Sequence, residues 1–189
     1  MINIKNKKIF IIGGILFLLI LIISIIYLVI GIFFKKEDPI KLTNNYLESY
    51  QKLDEKIISK ISYDYNDKLT KKQKEFYKSI MKKQYENLKY EITKEEVNET
   101  DAVITVLINV YDYSSAIAKA NNYIEVYSDK FQKNGKFDTY KAIDYKLEAL
   151  NTYNERVDYS INFYYYLDNG KWIMTDINET DLKKINGSY

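Results

Sequence analysis

The chain has 189 residues, 28 of them basic and 26 acidic, and a formal net charge of +2. It contains no cysteine and no histidine. Disulfides are therefore excluded, the commonest general base and metal ligand is missing, and a near-neutral balance argues against nucleic acid as a partner.

The first element is an uncharged run, Ile9 to Phe34, whose only breaks are glycines, Ser24 and Tyr27. As a helix it would be about 39 Å long, against a hydrocarbon core of about 30 Å. It is too long for the apolar core of a cleaved signal peptide, and Phe33-Phe34-Lys35-Lys36 offers no small-residue cleavage site. We expect a single transmembrane helix over residues 9–34, with the lipid bilayer as its partner. Lys5, Lys7 and Lys8 precede the run, and Lys35-Lys36-Glu37-Asp38 follows it. Basic flanks favour the cytoplasm. The expected order is a cytoplasmic tail (1–8), the span (9–34), a linker (35–38) and an extracytoplasmic domain (39–189) at the cell membrane.

Without the three tail lysines the chain carries 25 basic and 26 acidic residues. The lysines of Lys71-Lys72-Gln73-Lys74 and Lys82-Lys83 read as a solvated helix face. Pro39 fits a first helical turn, and Tyr46, Leu47, Tyr50, Leu53, Ile57, Ile58 and Ile61 form one apolar stripe, which predicts a helix over 39–61. A connection follows over 62–69. Thr70-Lys71-Lys72-Gln73 has the form of a capping box opening a helix to about Leu88. Tyr90 to Val97 and Ala102 to Tyr111 read as a hairpin. In its second strand Ala102, Ile104, Val106, Ile108 and Val110 share one face.

Ser114 or Ser115 is the expected cap of a helix running to Phe131. Lys133-Asn134-Gly135-Lys136 is a turn, and Asp138 caps a helix to about Leu150. Arg156 to Leu167 alternates strictly, with Val157, Tyr159, Ile161, Phe163, Tyr165 and Leu167 on one side. Asp168-Asn169-Gly170-Lys171 is a strong hairpin signal, and the returning strand runs from Lys171 to Ile177. A short helix over 180–185 ends at Asn186-Gly187. Helices segregated from antiparallel strands make an α+β domain.

The final hairpin, from Arg156-Val157-Asp158-Tyr159 through Asp168-Asn169-Gly170-Lys171-Trp172, resembles that of the nuclear-transport-factor-2-like superfamily, a cystatin-like α+β cone. The resemblance covers about residues 39–189. It implies helices packed on a bent antiparallel sheet behind the transmembrane helix, an arrangement that occurs in Gram-positive bacteria, and 27 lysines against one arginine resemble translation of an AT-rich bacterial genome. It also implies extracytoplasmic binding or scaffolding, with an envelope protein or a second copy as partner. The helical pair over 114–150 reads as an insertion in that pattern.

Enzymes of that superfamily place an acid in the cone, often with a histidine or tyrosine. The cluster present here is Tyr111, Asp112 and Tyr113, where a buried Asp112 would act as a base and the competing reading is a helix cap. A second ligand-binding candidate is Tyr164, Tyr166 and Trp172, with Tyr165 on the opposite face, competing with plain core and cross-strand packing. No EF-hand spacing and no glycine-rich phosphate loop is present. We therefore expect no metal, no cofactor and no catalysis. The alternatives are a cone pocket for a small ligand, using Asp112 and tyrosines, and an assembly component of a secretion, conjugation or cell-envelope complex.

Overall fold

The computed structural model describes residues 18–25, 38–61 and 69–189. Residues 1–37 and 38–189 separate into two compact units. In the first unit, Leu18–Ile25 is helical and fully surface-facing. Its one polar side chain, Ser24, donates its hydroxyl to the Ile20 carbonyl at 2.9 Å, which satisfies it inside its own helix. The rest of the expected span lies outside the described residues. Among those described, no helix is long and apolar enough to cross a membrane.

Residues 38–189 form an α+β unit with every buried side chain of the described chain inside it. It has its own core and therefore the means to fold alone. Helix α1 spans Pro39–Gln51 and α2 spans Glu55–Ile61, so the continuous helix expected from the stripe is broken. The break is a left-handed turn. Leu53 takes φ 55°, its N–H donates to the Tyr50 carbonyl, and the Asp54 N–H reaches back to Ser49. This is the hydrogen-bond pattern of a Schellman stop. Leu53 occupies the position that normally selects glycine, and the same apolar side chain that suggested continuity packs against the core from there.

Helix α3 (Lys71–Glu86) opens with the expected capping box: Gln73 N–H donates to Thr70 Oγ1 and Thr70 N–H to Gln73 Oε1. Strands β1 (Lys89–Val97) and β2 (Asp101–Tyr111) follow, then α4 (Tyr113–Val126). A 3₁₀ turn, Ser128–Phe131, leads to a miniature hairpin, β3 (Gln132–Lys133) and β4 (Lys136–Phe137). Helix α5 (Thr139–Thr152), strands β5 (Arg156–Asp168) and β6 (Lys171–Met174), and α6 (Glu179–Ile185) complete the chain. Helix α4 stops five residues before the expected Phe131, which the 3₁₀ turn supplies instead. Strand β6 ends at Met174 rather than Ile177.

The main sheet is antiparallel in the order β1-β2-β5-β6. One face is covered by helices: Ile104, Val106, Ile108 and Val110 of β2 and Ile161, Phe163 and Tyr165 of β5 are all buried against them. The alternation read from sequence is thus the inside–outside pattern of a sheet packed on one side. Asn169 (φ 48°) and Gly170 (φ 77°) make the β5–β6 turn, both left-handed as a type I′ turn requires. The Thr43 hydroxyl and the Tyr165 phenol pair at 2.6 Å and tie α1 to the inner face of β5.

Candidate functional site

A concave feature of the domain lies among the helices. A cavity of about 760 Å³ is walled by α1, α2, α3, α4 and α5 and by the C-terminal segment, with no strand residue in its lining. The inner sheet face has no space for it, because side chains already fill that layer. Aromatic and aliphatic groups dominate the wall, among them Tyr77, Met81, Tyr113 and Ile117. Amphipathic helices put them there: each turns an i, i+3, i+4 stripe inward.

The phenols of the wall are spoken for. Tyr85 donates to Asn186 Oδ1 at 2.8 Å, and Tyr113 donates to the Ile80 carbonyl at 3.3 Å. Burial raises the Tyr113 phenol above its ordinary value, so it stays protonated at neutral pH. The charged groups at the rim are Lys60, Glu179 and Lys183. Glu179 and Lys183 pair at 2.8 Å, and that hydrogen bond holds the Glu179 carboxyl below its usual range. A depressed, exposed carboxylate is a poor proton acceptor near pH 7. The wall is therefore mostly apolar and aromatic, its phenols engaged within the protein and its charges confined to the rim.

Asp112 does not line this cavity. Its carboxylate caps α4: Ser115 N–H donates to Oδ1 at 2.9 Å and the Ser115 hydroxyl to Oδ2 at 2.6 Å. The cap is therefore Asp112 and not Ser114 or Ser115, with Ser115 answering from three residues on. Tyr113 is buried within α4. Tyr111 stacks loosely on it, ring centroids 6.1 Å apart, while its outer side meets the guanidinium of Arg156 at 4.6 Å from the ring centroid. The expected acid–tyrosine cluster is thus a helix start and a strand end.

The second expected cluster is divided by the sheet. Tyr164 and Tyr166 stand on the open face, each 48% exposed, and Ile173 is paired across from Tyr166. Trp172 pairs with Leu167 and turns to the helix side, where it packs against the core. Strict alternation had already placed Tyr165 opposite Tyr164 and Tyr166. The register of the four-residue β6 decides the side of Trp172.

Two groups escaped the sequence reading. Arg156, the sole arginine, donates through Nη2 to the carbonyls of Asn87 and Asn109 and through Nε to the Asn109 side chain. Its rarity in a lysine-rich chain was the available signal, since a planar fork serves several acceptors where lysine serves as a point charge. Gln84 is fully buried in the last turn of a lysine-rich helix. Among the described residues no group of three or more acidic side chains is placed to hold a metal. No protein-family profile, curated protein or solved structure matches this chain.

Proposed function

We propose that the chain is a membrane-tethered, non-catalytic binding or scaffold protein that displays residues 38–189 outside the cytoplasm. One observation carries this reading. The Leu18–Ile25 helix presents seven large aliphatic side chains, each 45–61% exposed, within an uncharged run of 26 residues. Such a surface needs lipid or protein around it. The layout of helices over an antiparallel sheet, with the terminal Asn-Gly hairpin, supports the likeness to nuclear-transport-factor-2-like domains. Fold alone does not select a partner.

The test uses the full chain. Alkaline extraction of membranes from expressing cells should leave it in the pellet. Because the chain has no cysteine, Glu99→Cys provides a single label site. A membrane-impermeant maleimide should label it in intact cells. Extraction into the supernatant would sink the tether, and labelling only after lysis would reverse the topology.

The helix-lined cavity favours a second reading, a small apolar or aromatic ligand held by the same domain. Its volume lies in the range of small-molecule sites. A solvatochromic hydrophobic dye should then bind residues 38–189 at one site, and Ile117→Trp should exclude it. Dye binding unchanged by that substitution would remove the cavity from consideration.

A further inference from the structure

Helices α4 and α5 form an antiparallel arm. Lys119 reaches the Tyr153 phenol at 2.9 Å near one end, and Tyr123 stacks on Tyr145 at 4.9 Å further along. Ile124, Phe131 and Ala142 bury a small core of their own near the other end. That end carries the β3–β4 hairpin. Asn134 and Gly135, both left-handed, turn the hairpin, and the Asp138 N–H bonds to the Phe131 carbonyl at its base. Residues 126–140 of the tip are therefore ordered by a core and not loosely attached.

The tip presents what a core would normally hide. Val126 (63% exposed), Tyr127 (42%), Phe137 (54%) and Tyr140 (58%) all face solvent. They are four of the ten exposed large apolar or aromatic side chains described in residues 38–189, concentrated in a span of fifteen residues. Charge is concentrated with them. Residues 126–140 hold Lys130, Lys133 and Lys136 against Asp129 and Asp138, with Lys141 next in sequence, whereas the rest of residues 38–189 holds 20 basic and 23 acidic residues. Lys130 lies over the Tyr127 ring at 4.4 Å and donates to Tyr123. The exposed Lys133, Lys136 and Lys141 make no ion pair among the described residues. Asp138 is engaged at the start of α5 by the Lys141 N–H at 3.1 Å.

We propose that this arm tip is a docking element for an anionic lipid surface. Aromatic rings and lysines side by side are the composition that settles at headgroup depth: the rings enter the interface and the ammonium groups meet the phosphates. The net positive sign of the tip, on an otherwise acidic domain, selects an anionic bilayer over a zwitterionic one and orients the domain tip-first. Part of the argument rests on the tether proposed above, because only Lys35, Lys36 and Glu37 separate the apolar run from Asp38.

Flotation of residues 38–189 with vesicles tests the arm without the tether. The fragment should float with vesicles containing phosphatidylglycerol and stay down with pure phosphatidylcholine. Removing Lys133 and Lys136 (each to Gln) should weaken binding about fivefold per lysine. Phe137→Ser with Tyr140→Ser should weaken it on the order of tenfold. All four positions are exposed, so thermal unfolding should not move, and Tyr164→Ser with Tyr166→Ser should float like the parent. No flotation of the parent, or flotation indifferent to the tip substitutions, overturns the proposal. So does a tip-dependent cross-link to a membrane protein in the absence of vesicle binding. Failure here leaves the extraction result for the full chain intact, so the two readings are judged separately.

Discussion

The side-chain amide of Gln84 donates to the carbonyl of Tyr111 at 3.1 Å and accepts from its N–H at 2.9 Å. A helix side chain thus closes the end of β2 in the way a neighbouring strand would. The same carbonyl faces Gly187, where an added Cβ would stand 2.0 Å from it, and the Gly187 φ of +69° is itself left-handed. The Ser114 N–H then donates to the Gly187 carbonyl at 2.9 Å. Helix α3, the β2–α4 junction and the chain's last turn meet at this one point.

Substitutions there should be among the most damaging in the domain. Gln84→Ala leaves two buried backbone groups without partners and should cost about 2–4 kcal/mol. Gly187→Ala meets both a steric overlap and a disfavoured φ and should cost about 2 kcal/mol or more. Urea unfolding of residues 38–189 measures both. A loss under half a kcal/mol in either would contradict the closure described.

Asp112 distinguishes a cap from a chemical group. Asp112→Asn keeps an oxygen for the Ser115 N–H and should leave stability within a few tenths of a kcal/mol, while Asp112→Ala should lose about 1 kcal/mol. Any binding activity found for the domain should follow fold stability in both variants. An Asp112→Asn protein that is fully stable yet inactive would restore the carboxylate to a functional role.

Stability should be flat across the neutral range, because no histidine or cysteine is present to titrate there. The alkaline side is different. Burial, first of all, raises the phenols of Tyr46, Tyr113 and Tyr165 above their ordinary value near 10. The folded state then holds protons that the unfolded state releases, so their contribution is complete below about pH 10 and is lost as pH climbs toward the folded values. Urea midpoints measured from pH 7 to pH 11 should hold level and then fall. Phenolate absorbance from these three rings should appear only with unfolding.

The open sheet face makes a separate expectation. Tyr164, Tyr166 and Ile173 are exposed, so changing each to Ser should move stability by roughly half a kcal/mol or less. Should the scaffold reading be right through this face, a chemical cross-link from membranes to a protein partner or to a second copy should disappear in the triple variant. Sedimentation of the fragment that stays monomeric at every concentration would exclude self-association.

The inner pattern was legible because periodicity and burial express the same geometry. The period of two in β2 and β5 became the buried face, and Thr70-Gln73 and Asp138 capped where their spacing said. The α1–α2 break was not legible, since Leu53 adopts a left-handed conformation in an apolar stripe with no glycine to announce it. The residue pattern around Asp112 fits either a base or a cap, and the return contacts from Ser115 make it the cap. The helix-lined cavity was invisible for another reason: it is made by six helices whose mutual packing no local pattern encodes. Trp172 joined its neighbours in sequence but not in space, because β6 carries it to the other face.

The latch at Gly187 also orders events in time. Its carbonyl receives the Ser114 N–H, and Tyr189 takes the Tyr159 hydroxyl on its own carbonyl at 3.0 Å. A chain emerging N-terminus first from the ribosome has its sheet and most of its helices synthesised before these contacts can form. A polypeptide clipped ahead of Gly187 would lose both contacts and leave the β2–α4 junction without its partner from the segment after α6.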